Sequence, residues 1–141
     1  MNLRRLIPLG ILALVGCGKT VGDGDGVVDE DEVVQVGWIA ELTGHHHDVE
    51  GTAELIDERT VEITGFDYDG GGINSRFFLL ADGEPFHREF EISDNLVGGD
   101  YADDTLTLTL PDDIPDDAWN LITLWCVPAA VSFGDGVFRA P

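Results

Sequence analysis

Short runs in which apolar and polar residues alternate one by one set the tightest limit on what this chain can fold into. In Thr60-Val61-Glu62-Ile63-Thr64 and in Thr105-Leu106-Thr107-Leu108-Thr109-Leu110 every second side chain is apolar, so an extended backbone puts one face toward a core and threonine or glutamate toward water. Similar runs cover 33–42, 52–56, 60–66, 76–81, 89–92, 105–110, 121–127 and 131–138. Turn residues separate them at Asp57-Glu58, Asp69-Gly70-Gly71-Gly72, Asp82-Gly83, Gly98-Gly99-Asp100 and Pro111-Asp112-Asp113. Nothing here sustains a 3.6-residue period. The expectation is an all-β domain, a single antiparallel β-sandwich or partly closed barrel of about eight short strands.

That domain occupies residues 33–141, long enough for one real core and without an internal repeat. Residues 1–16 read as a lipoprotein signal peptide, with Arg4 and Arg5 ahead of an apolar run from Leu6 to Val15 that is too short to span a bilayer. Leu14-Val15-Gly16-Cys17 resembles the bacterial lipobox, whose cysteine is acylated, as with palmitate, and becomes the first residue after cleavage. Cys17 is therefore the expected lipidation site. Several acyl chains at about 0.8 kcal/mol per buried methylene hold a domain stably at a membrane. The expected location is exported and lipid-anchored in a bacterial membrane, facing the periplasm or the cell exterior.

Residues 17–32 read as a flexible acidic tether, because Gly18–Glu32 lacks aromatic residues and is dense in glycine and acid. Asp23, Asp25, Gly26, Asp29 and Glu32 fall at calcium-loop positions, but Val21 stands where the first carboxylate belongs and no helices flank the segment, which favours a plain linker. The whole chain carries a formal net charge of −21. Losing residues 1–16 removes two arginines and no acid, leaving 5 basic against 28 acidic side chains. Phosphate backbones are repelled by such a surface, so nucleic acid is excluded as a partner. A salty medium screens the self-repulsion within about 10 Å.

Chemistry concentrates in 119–138, WNLITLWCVPAAVSFGDGVF, where Cys126 follows Trp125 inside an alternating run. With Cys17 assigned to lipid, Cys126 has no disulfide partner in the chain. It is a buried small hydrophobe, a free reactive thiol, half of an intermolecular disulfide, or a ligand to metal or haem. A reactive thiolate needs help from its surroundings, and Arg139, Arg88, Arg76 and the histidines are the nearest candidates by type, with Arg59 and Lys19 beyond them. His45-His46-His47 ends the first run, ahead of Asp48 and Glu50, and His87 is the remaining histidine. If the strand continues, His45 and His47 share a face and offer a transition-metal pair; otherwise His47 fixes a polar turn at Val49-Glu50-Gly51. No Cys-x-x-Cys-His is present, which excludes covalent c-type haem. Gly-x-Ser-x-Gly, a Walker loop, His-Glu-x-x-His and a dinucleotide fingerprint are also missing, so a conventional enzyme is not indicated.

Four segments then recur in order: His47-Asp48-Val49-Glu50-Gly51-Thr52-Ala53, Ile63-Thr64-Gly65-Phe66-Asp67-Tyr68-Asp69-Gly70, Arg76-Phe77-Phe78-Leu79, and Leu124-Trp125-Cys126 with Phe133-Gly134. Together they resemble the DM13 domain, over roughly 37–139. The sequence departs from that pattern after Gly70, where Gly71-Gly72-Ile73-Asn74 replaces the Gly-Pro-Asp often found there. The resemblance implies a small β domain with a redox or electron-transfer role centred on Cys126, with a haem or a transition metal as cofactor in one version of that role. In that version His47 and Trp125 are the cofactor-binding candidates, His45 and His47 the metal ligands, and a redox partner protein completes the exchange. The competing expectation is a non-enzymatic binding or structural surface lipoprotein whose cysteine is buried and inert.

Overall fold

The computed structural model describes residues 32–83 and 90–141. The signal peptide, Cys17, the tether as far as residue 31, and the segment holding His87 and Arg88 lie outside the described residues. Among the described residues nine strands are present: β1 (Ile39–Glu41), β2 (Thr43–Gly44), β3 (Glu50–Asp57), β4 (Thr60–Tyr68), β5 (Ser75–Leu80), β6 (Phe90–Glu91), β7 (Tyr101–Thr109), β8 (Leu121–Cys126) and β9 (Val131–Val137). They form one four-stranded sheet, β1-β3-β4-β7, and one five-stranded sheet, β2-β9-β8-β5-β6, antiparallel throughout. The sheets are not closed into a barrel, and no helix occurs among the described residues. The all-β sandwich expected from the alternation is what forms.

Burial explains why the strands sit as they do. Val61 and Ile63 of β4 are fully enclosed, and strict alternation would next send Phe66 and Tyr68 outward. A bulge intervenes. Between the pairs Ile63↔Leu106 and Phe66↔Asp104, β4 spends one residue more than β7. Gly65 takes φ +59° there, a left-handed conformation that glycine adopts without a side-chain penalty. The alternation resets, and Phe66 and Tyr68 turn inward to complete a core with Phe77, Leu79, Ile122, Leu124 and Phe133.

Two runs are divided or lengthened relative to the sequence reading. The run 33–42 is not one strand: the chain pairs with β3 at Ile39–Glu41, then crosses to the other sheet and pairs with β9 at Thr43–Gly44. Alternation alone carries no information about which sheet a strand joins. The run 105–110 is the end of a longer strand starting at Tyr101, whose first half, Ala102-Asp103-Asp104, is exposed and shows no apolar stripe. Pairing of Tyr101 with Tyr68 closes that end of the sheet.

Candidate functional site

Cys126 is the last residue of β8, with Ser75 of β5 and Val131 of β9 as its paired neighbours. Alternation directs it inward with Ile122 and Leu124, and it is 2% exposed. It nevertheless lies just beneath the surface, because the strand gives way to the exposed turn 127–130 and its other neighbour is the segment 70–74, where Ile73 is 71% exposed. Val127 N–H donates to the Asn74 carbonyl at 2.9 Å and ties these two covers together. Burial raises the thiol pKa, but the backbone amides of Ala129, Ile73 and Asn74, helped by the Ser75 hydroxyl, outweigh it and hold the thiol below its ordinary value. Among the described residues no arginine or histidine is a cause of that lowering. Arg76 is committed to Glu91 at 2.6 Å and Asn74 at 3.0 Å, Arg59 to the Pro111 carbonyl at 2.7 Å, and the Arg139 backbone bridges Ile39 at the other end of the sandwich. The expected cationic help is replaced by neutral amides.

An aromatic layer lies beside the sulfur. Tyr68 stacks on Tyr101 with centroids 6.0 Å apart and approaches Phe133 at 6.3 Å, and Phe66 links Tyr101 at 5.2 Å to Phe77 at 5.5 Å. Phe133 is the extra residue of a second bulge, between the pairs Leu124↔Gly134 and Trp125↔Ser132, and points into the core. The Tyr68 hydroxyl donates to the Gly71 carbonyl. Its pKa is raised, first by burial, with negative charge on Asp69 and Cys126 adding to the rise and Ser75 opposing it. Ser75 is fully buried, and its Oγ has no partner at proper hydrogen-bonding geometry, although it lies near both the Tyr68 oxygen and the sulfur.

His47 braces this arrangement from outside. The strand ends at Gly44, so His45 and His47 do not share a strand face; His47 and Asp48 have φ near +58° and +55°. His47 Nδ1 lies 3.1 and 3.2 Å from the two Asp69 carboxylate oxygens, and its ring packs on Phe133 at 4.4 Å. Asp69 also accepts from Gly71 N–H at 2.6 Å, and this amide first, then His47, holds the carboxylate below its ordinary pKa despite some burial. A Cβ on Gly71 would come within 2.3 Å of His47 Nδ1, so the imidazole rests directly on the cover of the sulfur. His47 thus braces the 69–74 segment, which in turn covers Cys126.

His45 turns elsewhere. Its Nε2 is 3.1 Å from Asp135, which also accepts from Ser132 Oγ at 3.0 Å, and Ser132 in turn meets Thr123 Oγ1 at 2.9 Å. Serine, histidine and aspartate are all present, but the carboxylate stands in the middle, so the histidine cannot take a proton from the serine. Trp125 projects from the opposite face of β8 to Cys126, half-buried, with Arg76 and Ser132 as paired neighbours. Among the described residues no group of three or more histidine, cysteine or acidic side chains surrounds a common centre. An open groove lined by Glu41, Glu50, Thr52 and Thr64 holds neither cysteine nor histidine.

A family model described as electron transfer DM13 matches residues 41–137. The chain belongs to the DM13 family. It is 29% identical over 138 residues to two forms of the Drosophila melanogaster protein Skeletor, isoforms B/C and isoforms D/E. The match covers 92% of this chain but 17% of the one relative and 9% of the other, so the chain spans under a fifth of the length of either. No solved structure matches it. Cys126, Ser75, Tyr68, Phe133 and His47 all fall within the DM13 segment. The DM13 resemblance also raises haem or a transition metal at Cys126, and the described residues around the sulfur do not fit either. The sulfur faces amide N–H groups, and Gly72 presses against Phe133 and Ser75 so closely that a Cβ would lie 2.9 Å from the ring and 3.2 Å from Oγ.

Proposed function

We propose that this DM13 domain is a redox module held at a bacterial membrane through Cys17, with Cys126 as the redox-active sulfur. One observation carries the reading: an enclosed thiol is held toward its charged form by amides of two separate loops, where burial alone would make it inert. A thiolate is the form that gives up electrons. Toward peroxide it attacks one oxygen, an S–O bond forms as the O–O bond breaks, and the departing hydroxide takes a proton to become water, leaving a sulfenate two electrons more oxidised. A redox partner protein approaches at Ile73 and Val127, the exposed apolar side chains over the sulfur.

The second reading, a non-enzymatic binding lipoprotein with an inert cysteine, draws on the 2% exposure of Cys126. Dilute hydrogen peroxide with a sulfenic-acid trap separates the two. Trapped, thiol-reversible oxidation at Cys126 in the folded chain is expected. A Cys126 that stays unmodified when folded, under conditions that modify the unfolded chain, overturns the redox reading. The anchor rests on the lipobox sequence ending at Cys17. Cys17→Ser is expected to leave unprocessed precursor without acyl label, and a variant that matures and fractionates like the parent overturns that part.

A further inference from the structure

The one buried side-chain oxygen without a partner among the described residues is Ser75 Oγ, and it sits beside the sulfur. Enclosed polar groups in folded proteins nearly always have a partner, so an orphan needs a reason. The backbone of Ser75 supplies none. Its N–H donates to Asn95 Oδ1 at 3.0 Å and its carbonyl accepts from Leu96 N–H at 2.9 Å. Space does not demand a hydroxyl either: Gly72 lies directly over Oγ, and alanine would fill the same place with no enclosed polar group. What the position offers is two nearby acceptors, the Tyr68 oxygen and the sulfur of Cys126, the residue paired with Ser75 across β5 and β8.

We propose that Ser75 is the positioning residue of the Cys126 site: its hydroxyl hydrogen turns toward the Tyr68 oxygen when the sulfur is a neutral thiol and toward the sulfur when the sulfur is a thiolate. This deepens the reading of Cys126 as the redox sulfur and rests on it. The Tyr68 oxygen stays available because its own hydrogen is given to the Gly71 carbonyl, which leaves its lone pairs free to accept. Ionisation breaks the S–H bond and releases the proton to solvent through the 70–74 cover. The serine hydrogen then replaces it at the sulfur as a donor, without any movement of the backbone. A hydroxyl that merely filled space would leave both the ionisation of Cys126 and its reactivity untouched.

The test uses the full chain carrying Cys17→Ser, so that Cys126 is the only thiol, and follows thiolate absorbance against pH, alkylation by a small reagent, and unfolding by urea. Ser75→Ala is expected to be as stable as the parent or more so, to ionise at higher pH, and to be alkylated about tenfold more slowly at neutral pH, the scale of one hydrogen bond to a charged group. Tyr68→Phe removes the competing acceptor and is expected to move the titration the other way, toward lower pH. The assignment is overturned if Ser75→Ala leaves the titration in place, if it unfolds or destabilises the chain, or if both variants shift the titration in one direction. Ionisation is read independently of oxidation. A parent that titrates as described yet never reacts with peroxide overturns the redox reading and leaves the Ser75 assignment standing.

Discussion

At one end of the sandwich Trp119 meets Phe138 edge-on at 5.4 Å, in a cluster with Val34, Trp38, Leu110 and Ile114. At the other end, where β4 meets β7 and β5 meets β8, the closing groups are Tyr68, Tyr101, Phe133, a thiol, a serine without a partner and a three-glycine cover braced by His47. The first end hydrogen-bonds its backbone across elements, as at Phe138 N–H to Asn120 and Leu110 N–H to Arg59, both at 2.8 Å, and uses large apolar side chains. The second spends backbone amides on a sulfur and accepts left-handed conformations at His47, Asp48, Gly70, Gly72 and Ala130. A sheet needs only the first kind of closure to be stable. The left-handed non-glycine residues His47, Asp48 and Ala130 and the unpaired Ser75 oxygen lie at this second end, which is where the redox proposal puts the chemistry.

Truncating the apolar end should have the largest effect on stability and none on the thiol. Trp119→Ala removes an aromatic side chain that is 5% exposed and should destabilise by about 3–5 kcal/mol in urea unfolding, with the Cys126 titration where it was. A displaced titration would mean that the two ends are not independent. At the sulfur end, Gly72→Ala puts a Cβ against Phe133 at φ +107° and should cost about 1–3 kcal/mol while opening the cover, so that Cys126 alkylation accelerates. Slower alkylation would show that the cover tightens instead. The two histidines refine the contrast further. His47→Ala loses ring packing on Phe133 and should cost about 1 kcal/mol with faster alkylation, whereas His45→Ala touches only the exposed Asp135 network and should stay within about 0.5 kcal/mol with alkylation unchanged. Equal effects of the two would remove the distinction between bracing and surface histidines.

The sandwich was legible because its signal is local: Thr60–Thr64 and Thr105–Thr109 show their buried face in the identity of every second residue. Burial of Cys126 was one of the alternatives its strand setting left open, and its inward direction is decided by the pairing of β8 between β5 and β9. What the sequence concealed depends on pairing over long separations. The crossing from β1 to β2 is decided by partners at Glu54 and Asp135, and the bulge at Gly65 is visible only against Leu106 and Asp104. The histidine triplet reads as a metal pair only while the strand is assumed to continue, and the left-handed turn at His47 ends that assumption. Hardest to see was the help given to the thiol. Basic side chains can be found by type, whereas the amides of Ile73, Asn74 and Ala129 belong to every residue and acquire meaning only through their direction. Ser75, at the head of an apolar run, carried no distinguishing pattern of its own.

Whether this end of the fold favours a charged sulfur is read by titrating Cys126 in the folded Cys17→Ser chain and again in denaturant. A thiol whose pKa is lower when folded contributes stability that is fully present above the unfolded thiol's pKa and is lost as pH falls through the folded value. The expected result is a folded midpoint below the unfolded one, and a folding stability, relative to Cys126→Ala, that grows as pH rises between those two midpoints. A folded midpoint at or above the unfolded one would contradict it, and would leave Cys126 as a buried apolar residue of the core.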